Sequence, residues 1–216
     1  MYLKFAVVAV VSYLLGSFNF AIIVSKTMLG VDIRNYGSKN AGMTNALRTM
    51  GGKKTLIVIF GDVAKGALAV LAAHLLFQSA GVETLAHAKL VAAIFAVAGH
   101  IFPVYFHFKG GKGVLTSAAV MLFFDWRILL FLVLVFFAVY MLTKYVSLSS
   151  MSAAVCLPFL MYYFYRDIPI TLIGVLITAG LIIMHRSNIK RLLTGAETKT
   201  YFFRKKETDS QEASTK

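Results

Sequence analysis

Hydrophobic residues are concentrated in seven stretches, and most polar residues lie between them. The stretches cover approximately residues 3–24, 55–77, 88–106, 114–124, 128–142, 151–164 and 168–184. Because a membrane-spanning helix needs about 20 mainly apolar residues, the pattern predicts an all-α integral membrane protein with about seven transmembrane helices. The fourth and sixth stretches are short, and the alternative is that they are half-helices or interfacial segments, which leaves five complete spans.

The first stretch is predicted to be a retained helix rather than a signal peptide. It lacks a basic cluster before it and a small-x-small cleavage site after it. Ser12 and Gly16 are four residues apart within it, a spacing that lets membrane helices approach closely.

The basic residues predict the orientation of the chain. Of the 22 Lys and Arg residues, 17 fall in one set of alternate loops and 4 in the other, while Lys65 lies inside the second stretch. The positive-inside rule places the basic side in the cytoplasm, so the N-terminus is predicted outside and the C-terminus inside. We expect residues 1–203 to form a single polytopic membrane domain and residues 204–216 a flexible cytoplasmic tail.

Composition supports this class of protein. Hydrophobic residues make up 59% of the chain, charged residues 14%, and the mean hydropathy is +0.77, whereas a soluble domain has about 25% charged residues. The net charge of +13 is explained by the basic loops, so no nucleic-acid partner is predicted. Cys156 is the one cysteine and cannot form an intramolecular disulfide.

The first unusual polar segment covers residues 32–54 and combines glycines with hydroxyl and amide side chains. Glycines permit the positive φ angles with which backbone N–H groups surround an anion, and Arg48 can bind a phosphate through two parallel hydrogen bonds. We therefore predict a phosphate-binding loop. The alternative is a solvated basic loop whose glycines belong to ordinary turns.

The second segment, residues 99–114, contains the sequence KGGKG directly before an apolar run. Backbone donors, two ammonium groups and a helix N-terminus can surround one anion there. The spacing is not that of a P-loop and no strand precedes it, which disfavours nucleotide hydrolysis. His100 and His107 are two potential metal ligands with Pro103 between them, too few to favour a metal site, and no metal or other cofactor is predicted.

The third segment, residues 185–199, follows the last apolar stretch. His185, Asn188 and Arg191 share a face if the segment is a helix, and these side chains suit recognition of a hydroxylated anion. The alternative is that the basic residues only mark the cytoplasmic end of the last span.

Two further polar features lie nearer the bilayer. Asp62 and Lys65 can pair on one helix face, and ionisable residues in a span usually face a partner or a polar cavity, so a structural salt bridge and a role in a site both stay open. Ser147, in the hydroxyl-rich run 145–150, either offers a donor to a bound phosphate or, like its neighbours, bonds its own helix.

The chain contains no G-x-S-x-G elbow, no H-E-x-x-H motif and no carboxylate cluster for Mg²⁺. The polar segments therefore favour binding and polarising phosphorylated groups over covalent catalysis.

These segments resemble the bacterial membrane family of acyl-phosphate:glycerol-3-phosphate acyltransferases of the PlsY type. GSKNAGMTNALR resembles the first family motif, GHIFPVYFHFKGGKG the second and HRSNIKRLLTGAE the third, in order and spacing, and GDVAKG and YVSLSS also fit. The chain departs from the pattern at Lys39 and Met43, where the family usually has Gly and Ala, and at GSFNFA in the first span, where a Pro-containing run is more usual. These departures bear on substrate preference rather than on the class.

The resemblance implies transfer of a fatty acyl group from acyl phosphate to the 1-hydroxyl of glycerol 3-phosphate, giving lysophosphatidic acid and phosphate. This is the first committed step of phospholipid synthesis. The implied mechanism is substrate-assisted: the donor's phosphate accepts the hydroxyl proton, and no covalent enzyme intermediate forms. In this mechanism His185 orients a substrate. If the reaction instead used a protein base, His100 and His185 are the histidines placed to act as one.

Carried over residue by residue, the resemblance implies two groups of site residues. The residues expected around the acyl-phosphate headgroup, taken as catalytic, are Ser38, Thr44, Arg48, Lys112 and Asn188. The residues expected to bind substrate are Asn40, Gly42, Asn45, His100, Lys109, Gly110, Gly111, Gly113, Ser147, His185, Arg191 and Glu197.

The resemblance also implies a multi-pass protein of the bacterial inner membrane, with its active site facing the cytoplasm. Its expected partners are acyl phosphate, glycerol 3-phosphate and membrane lipid, and we expect a monomer. One alternative is a transporter for a phosphorylated metabolite, but the spans contain few ionisable residues and no inverted repeat. Another is a non-catalytic binder of anionic lipid, which would not need the neutral donors among the charges.

Overall fold

The structure is a computed structural model that describes residues 1–201. Within those residues it contains helices and no strand. The α-helices are α1 (Tyr2–Gly16), α2 (Phe20–Leu29), α3 (Met43–Met50), α4 (Gly52–Phe77), α5 (Val82–Ile101), α6 (Val114–Phe124), α7 (Trp126–Thr143), α8 (Val146–Tyr165), α9 (Ile168–Met184) and α10 (Arg186–Leu193). Short 3₁₀ turns cover Ile33–Asn35 and Val104–Phe106. The predicted tail, 204–216, and the end of the predicted domain, 202–203, lie outside the described residues.

All seven predicted apolar stretches form helices, but the described chain does not contain seven helices of full membrane length. Five helical units are long and apolar enough to cross a membrane: Tyr2–Leu29, Gly52–Phe77, Val82–Phe106, Trp126–Thr143 and Val146–Tyr165. Helices α9 and α10 meet at 58° and give a sixth unit if they are one broken span. Helix α6 has 11 residues and stays short, as its sequence predicted.

The sixth predicted stretch is longer than its apolar residues indicated. Helix α8 has 20 residues, so the half-helix alternative is wrong for this segment. Its polar first turns become helical because two serines satisfy their hydroxyls inside the helix: Ser149 Oγ donates to the Tyr145 carbonyl and Ser150 Oγ to the Val146 carbonyl, both at 2.8 Å.

Small residues bring α1 and α5 into backbone contact. A Cβ atom added at Gly16 would lie 2.1 Å from the carbonyl oxygen of Ala96, and Ser12 is fully buried beside it. The close approach predicted from Ser12 and Gly16 is therefore confirmed. Alanines line the buried side of α5, namely Ala88, Ala92, Ala93 and Ala96.

The break between α1 and α2 connects the first helical unit to the first polar segment. Asn19 Oδ1 accepts a hydrogen bond of 3.1 Å from Ile22 N–H and so caps α2. The other end of the same amide, Nδ2, donates to the Ala41 carbonyl at 3.2 Å. The loop before α3 is thereby fixed to the end of the first helical unit.

Candidate active site

A cavity of about 970 Å³ lies where α6, α7, α8 and α9 meet the polar segments. Its apolar lining comes from the interiors of these four helices, namely Leu115, Met121, Leu129, Leu132, Val133, Phe136, Leu157 and Leu181. Its polar lining comes from helix ends and loops, and includes Ser38, Thr44, Arg48, Lys112, Ser147, His185, Asn188, Arg191 and Glu197. A ligand with an anionic head and an apolar chain matches this division.

The first polar segment lines the cavity as far as Arg48. The cavity-lining residues of this segment that the sequence singled out are Ser38, Asn40, Gly42, Thr44, Asn45 and Arg48. Asn45 is buried, and its amide shapes the loop: Oδ1 accepts from Ser38 N–H at 2.9 Å, while Nδ2 donates to the Ile33 and Tyr36 carbonyls. The Asn45 amide thus holds the backbone that presents Ser38.

Lys39 is one of the departures from the family motif, and its backbone conformation shows why glycine is usual at this position. Its φ is 58°, in the left-handed region that glycine adopts most easily, and the motif usually has glycine there. The backbone therefore keeps the conformation that glycine would take, although the side chain is a lysine.

The glycine N–H groups of the second segment are not arranged as the sequence predicted. Gly110 N–H donates to the Ile101 carbonyl and Gly111 N–H to the His100 carbonyl, both at 3.1 Å. Lys109 is exposed, and its carbonyl accepts from Arg34. None of Lys109, Gly110 and Gly111 lines the cavity. The Gly110 and Gly111 N–H groups are therefore not the anion donors that the sequence predicted, because the loop's own backbone uses them.

Lys112 and Gly113 do line the cavity, at the start of α6. The Lys112 ammonium donates a hydrogen bond to Asn188 Oδ1, which joins the second segment to the third. Burial lowers the pKa of Lys112 to about 8; the Glu197 carboxylate opposes this shift, while the cations Arg191 and Arg48 reinforce it. A positive charge and the N-terminus of α6 thus adjoin each other at the cavity.

Glu197, near the end of the third segment, accepts hydrogen bonds from three other side chains. Its Oε1 atom accepts 2.6 Å hydrogen bonds from Ser147 Oγ and from Asn188 Nδ2, and its Oε2 atom accepts from Arg191 Nε at 2.7 Å. Burial raises the pKa of this carboxyl, but the three donors outweigh burial and the pKa is lowered. The carboxylate therefore stays charged and fixes three predicted site residues relative to one another.

His185, Asn188 and Arg191 all line the cavity, so the shared face predicted from their spacing is confirmed. His185 lies at the break between α9 and α10, and its Nδ1 atom is 2.8 Å from the Leu181 carbonyl. The carbonyl can only accept, so Nδ1 carries the proton. Nε2 is then an acceptor on a buried ring that lines the cavity.

Asp62 and Lys65 form the ion pair that their spacing predicted, with Asp62 Oδ1 and Lys65 Nζ 2.7 Å apart. Neither Asp62 oxygen has a hydrogen-bond partner among the described residues, so the contact is an ion pair. His100 joins the pair through Nδ1, 2.8 Å from Lys65 Nζ. Asp62 and His100 both line the cavity.

Two residues that sequence reasoning missed connect the segments. Arg34 forms a two-pronged pair with Asp32 and donates to the carbonyls of Phe106 and Lys109 at 3.0 and 2.8 Å. A hydrogen bond from Arg34 lowers the pKa of Asp32 to about 2, against the opposing effect of burial. A basic residue two positions after an acidic one was the available signal, but it did not indicate the contact with the second segment.

Thr200 is the second missed residue, and it closes one side of the cavity. Arg48 Nη2 donates to Thr200 Oγ1 at 2.8 Å, Tyr140 Oη donates to the Thr200 carbonyl at 2.9 Å, and Thr200 N–H donates to the Lys144 carbonyl at 3.0 Å. No spacing or motif in the sequence indicates these contacts.

One group of possible metal ligands occurs in residues 1–201, and it is separate from the cavity lining. Donor atoms of Glu83, His87 and Asp167 lie within 4.8 Å of one another. Asp167 Oδ1 caps α9 by accepting from Ile170 N–H at 2.7 Å, which gives this carboxylate a structural function.

Known proteins match this fold and these segments. Residues 6–195 match the family described as glycerol-3-phosphate acyltransferase. The chain is 43% identical over 196 residues to the glycerol-3-phosphate acyltransferase of Clostridioides difficile strain 630, covering 91% of this chain and 95% of that protein. It is 40% identical over 194 residues to that of Bacillus subtilis strain 168, covering 90% and 96%.

Two solved structures of PlsY, an integral membrane glycerol 3-phosphate acyltransferase, are also similar. The glycerol 3-phosphate form has a TM-score of 0.82 and 35% identity and covers 91% of this chain and 96% of that one. The lysophosphatidic acid form has a TM-score of 0.79 and 33% identity and covers 91% and 95%. The family match begins within α1, runs through α10, and includes the first two polar segments and the third as far as residue 195. The chain is therefore an integral membrane enzyme that belongs to the glycerol-3-phosphate acyltransferase family.

Proposed function

We propose that this enzyme transfers a fatty acyl group from acyl phosphate to the 1-hydroxyl of glycerol 3-phosphate and releases lysophosphatidic acid and phosphate. The observation that carries the proposal is the cavity, in which cationic and hydroxyl side chains adjoin an apolar groove between helices. Both substrates have a phosphate, and the donor also has an acyl chain. The similar PlsY structures in glycerol 3-phosphate and lysophosphatidic acid forms support the acceptor and the product.

The acyl-phosphate headgroup is bound by Ser38, Thr44, Arg48, Lys112 and Asn188. The two hydroxyls have no hydrogen-bond partner in the described part of the chain, which leaves them to donate to phosphate oxygens. Arg48 and Lys112 neutralise the phosphate and stabilise the charge that develops as it leaves. The acyl chain lies along the apolar lining of α6 to α9.

Glycerol 3-phosphate is bound near Ser147, His185, Arg191 and Glu197. Glu197 orients its neighbours through hydrogen bonds, and His185 Nε2 accepts a hydrogen bond from a glycerol hydroxyl and so orients the acceptor. Asn40, Gly42 and Gly113 complete the polar lining.

The chemistry requires no covalent enzyme intermediate. The 1-hydroxyl oxygen attacks the acyl carbonyl carbon, the bond from that carbon to the phosphate oxygen breaks, and the hydroxyl proton passes to the departing phosphate. The side chains contribute by positioning both substrates and by stabilising negative charge.

The same proposal includes the location of the site. The excess of basic residues in one set of loops supports a cavity that opens to the cytoplasm, with the N-terminus outside, in the inner membrane of a bacterium. Residues of one chain supply both the polar and the apolar lining that the two substrates need, and the proposal takes a monomer as the active unit.

The donor is tested by product formation with purified protein in lipid, supplied with glycerol 3-phosphate and either acyl phosphate or acyl-CoA. We expect lysophosphatidic acid from acyl phosphate alone. Product from acyl-CoA alone would overturn the donor, and no product with either donor in folded protein would overturn the reaction and favour a transporter.

The assigned residues are tested in the same assay. We expect Ser38→Ala and Lys112→Ala each to lower the rate by about 10² to 10³, the usual effect of losing one donor aimed at developing charge. Lys53→Ala, at an exposed position outside the cavity, is the matched control. Wild-type rates in both site variants would refute the assignment.

The absence of a protein base is tested at His185. If His185 orients the acceptor, His185→Ala should weaken glycerol 3-phosphate binding together with turnover. Loss of turnover with unchanged binding would contradict substrate-assisted proton transfer.

A further inference from the structure

Three ionisable side chains form a buried cluster that the proposed reaction does not use. Asp62, Lys65 and His100 have side chains that are only 1%, 2% and 4% exposed. Lys65 Nζ lies 2.7 Å from Asp62 Oδ1, 2.8 Å from His100 Nδ1 and 3.0 Å from the carbonyl oxygen of Phe18. The Lys65 ammonium donates hydrogen bonds to His100 Nδ1 and to the Phe18 carbonyl, and its charge pairs with the Asp62 carboxylate.

The contact with Lys65 determines which ring nitrogen of His100 has the proton. A lysine ammonium only donates, so Nδ1 accepts and a neutral His100 has its proton on Nε2. The Nε2 side of the ring lies against the KGGKG loop, because a Cβ atom added at Gly111 would be 2.3 Å from Nε2. The His100 carbonyl also accepts from Gly111 N–H at 3.1 Å. His100 thus holds Gly111 from two directions, one residue before Lys112.

The other contacts of the cluster lead to the first polar segment. Phe18, whose carbonyl binds Lys65, directly precedes Asn19, and the Asn19 amide donates to the Ala41 carbonyl at 3.2 Å. A Cβ atom added at Gly111 would lie 2.4 Å from that same carbonyl oxygen. Lys65 is therefore linked through Phe18 and Asn19 to the first polar segment and through His100 to the loop that presents Lys112.

We propose that Asp62, Lys65 and His100 are positioning residues that hold the first and second polar segments at a fixed separation, so that both reach the same phosphate. The inference rests on the proposed function and assigns His100 a different role from the direct substrate contact expected from the sequence. Asp62 balances the charge of Lys65, the contact between Lys65 and Nδ1 fixes residue 100, and the main-chain carbonyl of His100 holds the loop through Gly111 N–H.

Two substitutions of His100 separate positioning from direct contact. His100→Asn keeps a hydrogen-bond acceptor for Lys65 near the place of Nδ1 and removes Nε2, whereas His100→Leu removes both. Both are measured as the full chain in lipid, with kcat and KM for each substrate. We expect His100→Leu to lower kcat/KM by about 10²-fold, the effect of a displacement of about 1 Å in a catalytic group, and His100→Asn to restore most of that loss. Equal losses in the two variants, or wild-type kinetics in both, would overturn the proposal.

A double variant separates loss of positioning from loss of folding. Replacing only Lys65 would leave an uncompensated buried carboxylate, whereas Asp62→Leu with Lys65→Met removes both charges together. We expect this variant to unfold thermally near the wild-type temperature and to lose kcat/KM as His100→Leu does. Wild-type kinetics in the double variant would contradict a positioning role.

A readout that does not depend on turnover distinguishes this inference from the proposed function. The rate at which an amine-reactive reagent labels Lys112, followed by mass spectrometry against pH, reports the environment of that amine. We expect His100→Leu to shift the profile and His100→Asn to leave it unchanged. If the wild-type enzyme makes no product, the proposed reaction is wrong, but the labelling comparison still decides whether the cluster positions Lys112. Identical labelling profiles in all three proteins would overturn the positioning role.

Discussion

The Asn188 amide donates a hydrogen bond of 2.6 Å to the Glu197 carboxylate. Because the carboxylate can only accept, Nδ2 of the amide must face it and Oδ1 must face the other way, toward Lys112. A carboxylate that is not expected to touch the acyl phosphate therefore determines how Asn188 and Lys112 are presented to it.

Glu197→Gln should raise KM for glycerol 3-phosphate and lower kcat/KM by about 10 to 10²-fold. The reason is loss of the charged acceptor for Ser147, Asn188 and Arg191, since hydrogen bonds to charged groups contribute about 1.5–3 kcal/mol. Initial rates in lipid measure the effect. Glu83→Gln, a change at an exposed carboxylate outside the cavity, is the control, and equal kinetics in the two variants would contradict the prediction.

The alkaline limb of the pH profile should come from Lys112. Its pKa is lowered to about 8 by burial, so the ammonium that binds phosphate is present below that pH and lost above it. We expect kcat/KM, which reports groups of the free enzyme, to fall about tenfold per pH unit above the pKa.

Lys112→Arg is the matched test of that assignment, because arginine stays protonated throughout the range. Whatever its absolute rate, this variant should lack the fall near pH 8. A wild-type profile that stays level to pH 10, or an unchanged limb in the variant, would show that Lys112 does not control it.

Gly111→Ala should reduce activity strongly. The new methyl group would lie 2.3 Å from His100 Nε2 and 2.4 Å from the Ala41 carbonyl oxygen, and a backbone oxygen cannot swing aside, so the loop bearing Lys112 must move. Overpacking of this kind costs about 1–3 kcal/mol of stability, and the displaced lysine adds a loss of kcat. Gly52→Ala meets no atom within 4 Å and should behave as wild type; an active Gly111→Ala enzyme would mean that the loop adapts.

Ala153→Phe should shift the donor preference toward shorter acyl chains. Ala153 lines the cavity from α8, and a phenyl ring there takes volume that the chain of a long donor would occupy. The measurement is kcat/KM for a series of acyl phosphates that differ in chain length. Val155→Phe, on the same helix at an exposed position outside the cavity lining, is the control, and a uniform loss across the series would contradict an acyl groove at this position.

The sequence predicted the helices well because hydropathy is a local property. It underestimated α8, since Ser149 and Ser150 look unfavourable in a membrane helix until their hydroxyls bond the preceding turn. The three polar segments were predicted to lie on one side of the membrane, and residues from all three line one cavity.

Other features depend on contacts that no local pattern encodes. Gly110 and Gly111 were predicted to donate to a ligand, but the carbonyls of Ile101 and His100 take those N–H groups. Arg48 and Thr200 meet across 152 positions of sequence, a pair that spacing cannot reveal. The location of the site could thus be predicted, whereas the roles of its residues stay predictions until they are measured.

The contacts of Thr200 have a consequence for biosynthesis. Ribosomes build a chain from its N-terminus, and Thr200 follows all ten described helices while bonding to Arg48, Tyr140 and Lys144. The partner of Arg48 is therefore synthesised 152 residues after Arg48 itself. A nascent chain completes this wall of its cavity only after residue 200 has been synthesised and the preceding helices have emerged from the ribosome.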